Sequence, residues 1–433
     1  MSIKVYGGKS KVTTVLSLPG DKSIAHRSLI IGSLPKGEFK ISNFPSSLDC
    51  LATLQCMKKI GIEVRKNNDE LYIISKGYKN FVKEIGEIDA MNSGTTARLI
   101  SGLLSGNSIK STLKGDSSLS NRPMERIITP LKLMGAKLEG VNNKLPLKFS
   151  CSEELIGVKY ELPVASAQVK SCILIAGFLA KGKTQITEKV KTRDHTERLF
   201  KYLGANIEIC GNKITIENSP IKCKDIFVPG DISSAAFIIA AVLLGTECEV
   251  KIKDVLLNEN RTQYLEILKS MGAKIEIQYK GKLNEEEIGD IIAFSSNLQG
   301  VNISSEKVPA IIDEIPVISL LAAFSTGVTV IEGVEELKHK ESDRLMAILH
   351  NLKILNVSCE VKNNTLIING EDRYIDKDVE INSFNDHRIA LAFICTAMRN
   401  KGCVSIDNWD CTEISFPNSI NYFKDFFSAC KSE

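Results

Sequence analysis

The chain has 433 residues, 43% hydrophobic and 25% charged, a globular composition with length enough for two or three domains. Fifty-five basic against 52 acidic residues leave a net charge of +3, which argues against a protein built to wrap nucleic acid or coat a membrane. No signal-like apolar run follows Met1 and no segment reaches membrane-spanning length; the 12 cysteines form no CxxC pair, so buried, reduced thiols of a cytoplasmic protein with no metal site are expected.

Taken in chain order, a strand from Val12 to Leu18 runs into the turn Pro19-Gly20, and Asp21-Lys22-Ser23-Ile24-Ala25-His26-Arg27-Ser28 opens an apolar helix. Ser23 is the expected N-cap, so a lysine, a hydroxyl, free amides and a guanidinium converge on a spot suited to an anion. Asn92-Ser93-Gly94-Thr95 precedes the helical run Leu99–Leu104, and Gly94 would let a ligand approach the backbone. Arg122 follows the polar loop begun by Asp116, with Pro123 at a first-turn position. Ser166-Ala167-Gln168-Val169-Lys170-Ser171 offers a hydroxyl and an amide at another helix mouth. Thr192-Arg193-Asp194-His195-Thr196-Glu197-Arg198 reads as a capping box begun by Asp194.

Further on, Gly230-Asp231-Ile232-Ser233 and Phe384-Asn385-Asp386-His387-Arg388 start two more helices. Asp313, within Ile311-Ile312-Asp313-Glu314-Ile315, is expected in an apolar neighbourhood that would tune it as a base. Lys340-Glu341-Ser342-Asp343-Arg344 places both charges before a helix. Eight of the 12 arginines (Arg27, Arg98, Arg122, Arg126, Arg193, Arg198, Arg344 and Arg388) fall in or beside these motifs, and a planar fork suits carboxylate or phosphate better than a lysine does, which points to an acidic small-molecule ligand.

A phrase of apolar helix end, glycine and strand recurs six times, at Gly37, Gly106, Gly182, Gly245, Gly327 and Gly402, spaced 69, 76, 63, 82 and 75 residues apart. A second phrase, helix then glycine then strand, interleaves with it at Gly61, Gly135, Gly204 and Gly272. The sixth unit is expected to keep only a terminal helix, Asn418 to Cys430. Units of this size imply an α/β protein with two domains of three repeats. The breaks at Pro19-Gly20 and Val228-Pro229-Gly230 predict one domain of residues 21–229 and another combining 1–20 with 230–433. The helix mouths would converge on an interdomain cleft.

Together the phrases Pro19–Arg27, Asn92–Thr95, Asn121–Met124, Ser166–Gln168, Arg193–Thr196, Asp313-Glu314, Lys340–Arg344 and Asn385–Arg388 resemble the 5-enolpyruvylshikimate-3-phosphate synthase family, in order and over essentially the whole chain. The resemblance implies a two-domain inside-out α/β barrel of six βαβαββ repeats. It implies transfer of the enolpyruvyl group of phosphoenolpyruvate to the 5-hydroxyl of shikimate 3-phosphate with release of phosphate, on the route to aromatic amino acids. By that resemblance Lys22, Ser23, Arg27, Ser166, Gln168, Arg193, Asp313 and Lys340 hold shikimate 3-phosphate. Lys22, Asn92, Gly94, Arg122, Gln168, Arg344, His387 and Arg388 hold phosphoenolpyruvate. Asp313 would be the base, Glu341 the proton donor to the methylene carbon, and Lys22 an aid to phosphate departure.

No metal or organic cofactor is implied, since the donor carries its own leaving group, and a cytoplasmic monomer acting on small molecules is expected. Two positions depart from patterns in the family: Ile414 stands where many members carry a lysine, and Ala167 where some carry a serine. A related rival, UDP-N-acetylglucosamine enolpyruvyl transferase, would usually place a cysteine in the Asp116–Met124 loop, which has none. The rival of another class is a non-catalytic anion-binding repeat protein, which would tolerate loss of Asp313 and Glu341.

Overall fold

The recurring helix–glycine–strand phrase folds into six four-stranded sheets of one pattern. A computed structural model describes residues 1–432. In the sheet Glu84–Asp89, Lys110–Lys114, Leu147–Phe149, Leu138–Gly140, the first pair is parallel and the remaining pairs are antiparallel. The crossover between the parallel strands is the helix Gly94–Gly106, the arrangement a parallel pair requires. Strand Glu70–Lys76 shows why the sheets are single-faced: buried and partly exposed residues alternate along it.

The chain divides into two units. One comprises residues 1–18, 230–281 and 287–433, and the other 19–229 with 282–286. Two edge strands account for the division. Thr13–Ser17, although it leads into the helix Lys22–Ile30, pairs in parallel with Glu249–Leu256 of the first unit. Ile226–Phe227, although it leads into the helix Ile232–Leu244, pairs in parallel with Lys36–Ser42 of the second.

Each unit has its own core of buried helices. All 13 residues of Ile232–Leu244 are buried, as a helix apolar on every side must be. In the other unit, Gly94–Gly106 packs against Ala167–Leu179 so closely that a Cβ on Gly102 would lie 2.3 Å from the Cys172 carbonyl oxygen. The helix ends follow the sequence chemistry: Gly61 and Gly204 close their helices with φ of 110° and 92°, the left-handed conformation that glycine tolerates.

Three local expectations change. Asp21, rather than Ser23, caps the helix Lys22–Ile30, its Oδ1 accepting from the Ile24 amide at 2.9 Å. The terminal segment forms a short helix, Ile420–Phe423, and then a strand, Phe427–Ser432, that pairs with Ile3–Gly8 and completes the sixth sheet. Burial of the cysteines is uneven: Cys50, Cys172 and Cys395 lie in the core, whereas Cys151 and Cys210 are exposed. Cys210 ends an outward-facing edge strand, Ile207–Cys210. Among the described residues, no helix is long and apolar enough to cross a membrane.

Candidate active site

In the unit containing residues 19–229, the Lys22 helix supplies the first cations. Lys22 Nζ is 2.7 Å from Asp49 Oδ2 at the start of the neighbouring helix, Leu48–Ile60. Arg27, one turn further, is buried in a cradle of oxygens. Its Nε donates to Thr196 Oγ1 at 2.7 Å, Nη2 to Ser171 Oγ at 2.7 Å, and Nη1 to the Ser23 carbonyl at 2.8 Å. Ser171 and Thr196 hydrogen-bond each other at 2.7 Å, which locks the cradle. Burial lowers the Arg27 pKa to about 10, against the pull of Glu197 and Asp21; the nearby Arg193 guanidinium pushes it the same way as burial.

The next helix mouth is built on Gly94. Ser93 caps it, accepting from the Thr96 amide at 3.1 Å. A Cβ on Gly94 would lie 2.7 Å from Arg98 Nη1 and 3.0 Å from Arg122 Nη1, so glycine makes room for two guanidinium groups. Gln168 joins this mouth to its own helix: its Oε1 accepts from Arg98 Nη1 at 2.7 Å and its Nε2 donates to Thr95 Oγ1 at 2.9 Å. Ser166 caps the Gln168 helix, and Asn92 Nδ2 donates to Asp116 Oδ2 at 2.6 Å. Pro123 lies just before the helix Glu125–Leu133, outside its first turn.

The capping box expected at Asp194 does not form. Asp194 makes no side-chain cap bond; Arg198 Nε donates to its Oδ2 at 2.8 Å. Glu197 turns instead to the buried Lys170 ammonium, 2.7 Å away, which also holds Glu188 at 3.0 Å. Burial works against the Lys170 charge, but the two carboxylates outweigh it and its pKa is raised. Burial pushes the Glu197 carboxyl up, against the attraction of Lys170.

The other unit gathers Asp313, Lys340, Glu341, Arg344, His387 and Arg388. Arg344 is its centre, 1% exposed. Its Nε donates to Asp386 Oδ2 at 2.8 Å, Nη2 to Glu341 Oε2 at 2.5 Å and Nη1 to Asp313 Oδ1 at 3.2 Å. Burial disfavours this charge, yet Asp386, Glu341 and Asp313 together hold the Arg344 pKa above its ordinary value. Asp386 also caps the helix His387–Phe393, accepting from the Arg388 amide at 2.9 Å. His387 is buried beside it, Nδ1 4.0 Å from Asp386 Oδ1.

Asp313 does not sit in the apolar setting expected of it. Lys340 Nζ is 3.6 Å and Arg388 Nη2 3.8 Å from its carboxylate, in addition to Arg344, and Arg388 Nη1 donates to its carbonyl at 2.9 Å. Ile311 and Ile315 turn into the core, while the carboxylate turns toward cations. Glu314 is buried, accepting from Ser233 Oγ at 2.6 Å, and Ser233 in turn accepts from Arg261 Nη2 at 2.9 Å.

Asp49, Glu188 and Arg261, partners of these groups, lie outside the polar motifs of the sequence. An acidic residue in the first turn of a helix, as Asp49 is, was the available signal for the first. Glu188 and Arg261 carried none.

The EPSP synthase (3-phosphoshikimate 1-carboxyvinyltransferase) family profile matches residues 6–423. The chain is 55% identical to the 3-phosphoshikimate 1-carboxyvinyltransferase of Clostridium tetani, over 98% of this chain and 97% of that one. It is 42% identical to that of Petrotoga mobilis, over 95% and 96%. The solved structure of EPSP synthase from Acinetobacter baumannii superposes with a TM-score of 0.90 at 36% identity, covering 100% of both chains.

Proposed function

This chain belongs to the EPSP synthase (3-phosphoshikimate 1-carboxyvinyltransferase) family, and on that premise we propose that the charged groups at its helix N-termini are its substrate-binding and proton-transfer residues. The protein is an enzyme that transfers the enolpyruvyl group of phosphoenolpyruvate to shikimate 3-phosphate in the shikimate pathway. The two rivals, a nucleotide-sugar enolpyruvyl transferase and a non-catalytic repeat protein, do not describe it.

The observation that carries the proposal is the single buried guanidinium of Arg344 in contact with both Asp313 and Glu341. The reaction needs one group to take a proton from the 5-hydroxyl and another to deliver a proton to the methylene carbon of phosphoenolpyruvate. Two carboxylates fixed by one cation, with Lys340 and Arg388 beside Asp313, supply such a pair in a field that also suits anionic substrates. Asp313 is the base, Glu341 the donor, and Lys22 assists departure of phosphate from the tetrahedral adduct.

In the proposal Lys22, Ser23, Arg27, Ser166, Gln168, Arg193, Asp313 and Lys340 bind shikimate 3-phosphate. Lys22, Asn92, Gly94, Arg122, Gln168, Arg344, His387 and Arg388 bind phosphoenolpyruvate. Cations at these positions offset the repulsion between two polyanionic substrates. The buried cradle of Arg27 holds its guanidinium plane still before substrate arrives. The enzyme acts as a cytoplasmic monomer, and the donor's own phosphate is the leaving group. The test is phosphate release with phosphoenolpyruvate and either acceptor: release with shikimate 3-phosphate and none with UDP-N-acetylglucosamine is expected, and the reverse would overturn the assignment.

A further inference from the structure

We propose that Lys170, Glu188 and Thr192 are positioning residues for the shikimate 3-phosphate half of the site: they set where Arg193 stands relative to Arg27 and do not touch substrate. The proposal rests on the assignment of Arg27 and Arg193 to that substrate.

Lys170 lies one turn inside the helix whose mouth carries Ser166 and Gln168. Its ammonium is buried and donates to Glu188 Oε2 at 3.0 Å and to the Thr192 carbonyl at 3.4 Å, with Glu197 Oε1 at 2.7 Å. Glu188 uses its other oxygen on Thr192, accepting from the hydroxyl at 2.5 Å and from the amide at 3.2 Å. All three polar groups of the residue before Arg193 are therefore held by one buried ion pair. Glu197, the second carboxylate on Lys170, follows Thr196, whose hydroxyl takes Arg27 Nε at 2.7 Å. A single ammonium thus ties both ends of the segment 188–197 to the helix mouth.

Such a tie has a physical purpose. Arg193 and Arg27 are close enough to act on one another as like charges, while Glu197 offsets them. Arg193, on the short connection between the strand Thr184–Thr187 and the helix His195–Leu203, would otherwise be pushed away from the fixed Arg27 guanidinium. Lys170, Glu188 and Glu197, at 1%, 4% and 2% exposure, are costly groups to bury, and the Lys170 ammonium is paired with both carboxylates.

The experiment compares Thr192→Val, which keeps the shape and removes the hydroxyl bond to Glu188, with Thr192→Ser, which retains it. Lys170→Met and Arg193→Ala are measured alongside. Steady-state kinetics with each substrate varied, and calorimetric titration of shikimate 3-phosphate alone, are the readouts. Thr192→Val and Lys170→Met are expected to raise the KM and Kd for shikimate 3-phosphate on the order of tenfold, with kcat and the KM for phosphoenolpyruvate within about twofold of the parent. Thr192→Ser is expected to restore the parent values.

Parent-like affinity in folded Thr192→Val and Lys170→Met, with Arg193→Ala weakened, would overturn the positioning role alone. Parent-like affinity in Arg193→Ala would overturn the underlying assignment and this proposal with it. A uniform fall in kcat with unchanged KM would also overturn it. If Lys170→Met does not fold, the Thr192→Val and Thr192→Ser pair decides.

Discussion

Arg344 and Asp386 form an ion pair almost closed to solvent, Nε to Oδ2 at 2.8 Å with side chains 1% and 0% exposed. Asp386→Ala would leave a buried guanidinium short of its inner partner and remove the cap of the His387 helix. A loss of about 3–5 kcal/mol in unfolding free energy is expected, measured by denaturant titration. The pair also predicts an acid response. Burial would raise the Asp386 pKa, but Arg344 outweighs it and the carboxyl stays below its ordinary range. Its stabilisation is therefore present above the unfolded-state value of about 3.9 and is lost as pH falls toward the folded-state pKa. Asp386→Ala should flatten that part of the acid-unfolding curve.

His26 sets a second, higher pH window. It is fully buried with Nδ1 2.7 Å from Thr53 Oγ1, and burial, then Lys22 and Arg27, hold its pKa well below the usual imidazole value. The unfolded chain takes up this proton below about pH 6.5 while the folded chain resists it, so stability falls as pH drops from there. His26→Gln should give a Tm that declines less than the parent's between about pH 7 and 5. Equal slopes would count against a neutral, buried His26.

At Gly94 the expected effect is on function rather than folding. The atoms a Cβ would meet are the ends of two flexible guanidinium groups, Arg98 and Arg122, which can give way without unfolding the helix. Gly94→Ala should leave Tm nearly unchanged and raise the KM for phosphoenolpyruvate on the order of tenfold by shifting Arg122. Gly102→Ala is the contrast. There the obstacle is the Cys172 backbone carbonyl at 2.3 Å, so stability should drop by about 1–3 kcal/mol. Reversed outcomes at these two glycines would contradict the packing described here.

Much of this architecture is legible in the chain itself because its punctuation is local. Gly61 and Gly204 mark helix ends, and Ser93, Ser166 and Asp386 mark helix starts. What could not be read is what depends on distant pairing. Arg344 meets Asp313 across 31 positions and Asp386 across 42, so no local pattern shows that an Asp313 among isoleucines turns toward cations. The same holds for Glu197: its spacing from Asp194 suits a capping box, but the buried Lys170 competes for it and wins. The terminal strand Phe427–Ser432 was hidden because its partner, Ile3–Gly8, lies at the opposite end of the chain.

The most direct test of the account is Asp313→Asn, which keeps the side-chain shape and removes the base. Calorimetric titration of shikimate 3-phosphate and single-turnover phosphate release would be measured on the same preparation. The account predicts binding within a few-fold of the parent and phosphate release slowed on the order of 10²–10⁴-fold. Parent-like release would contradict it.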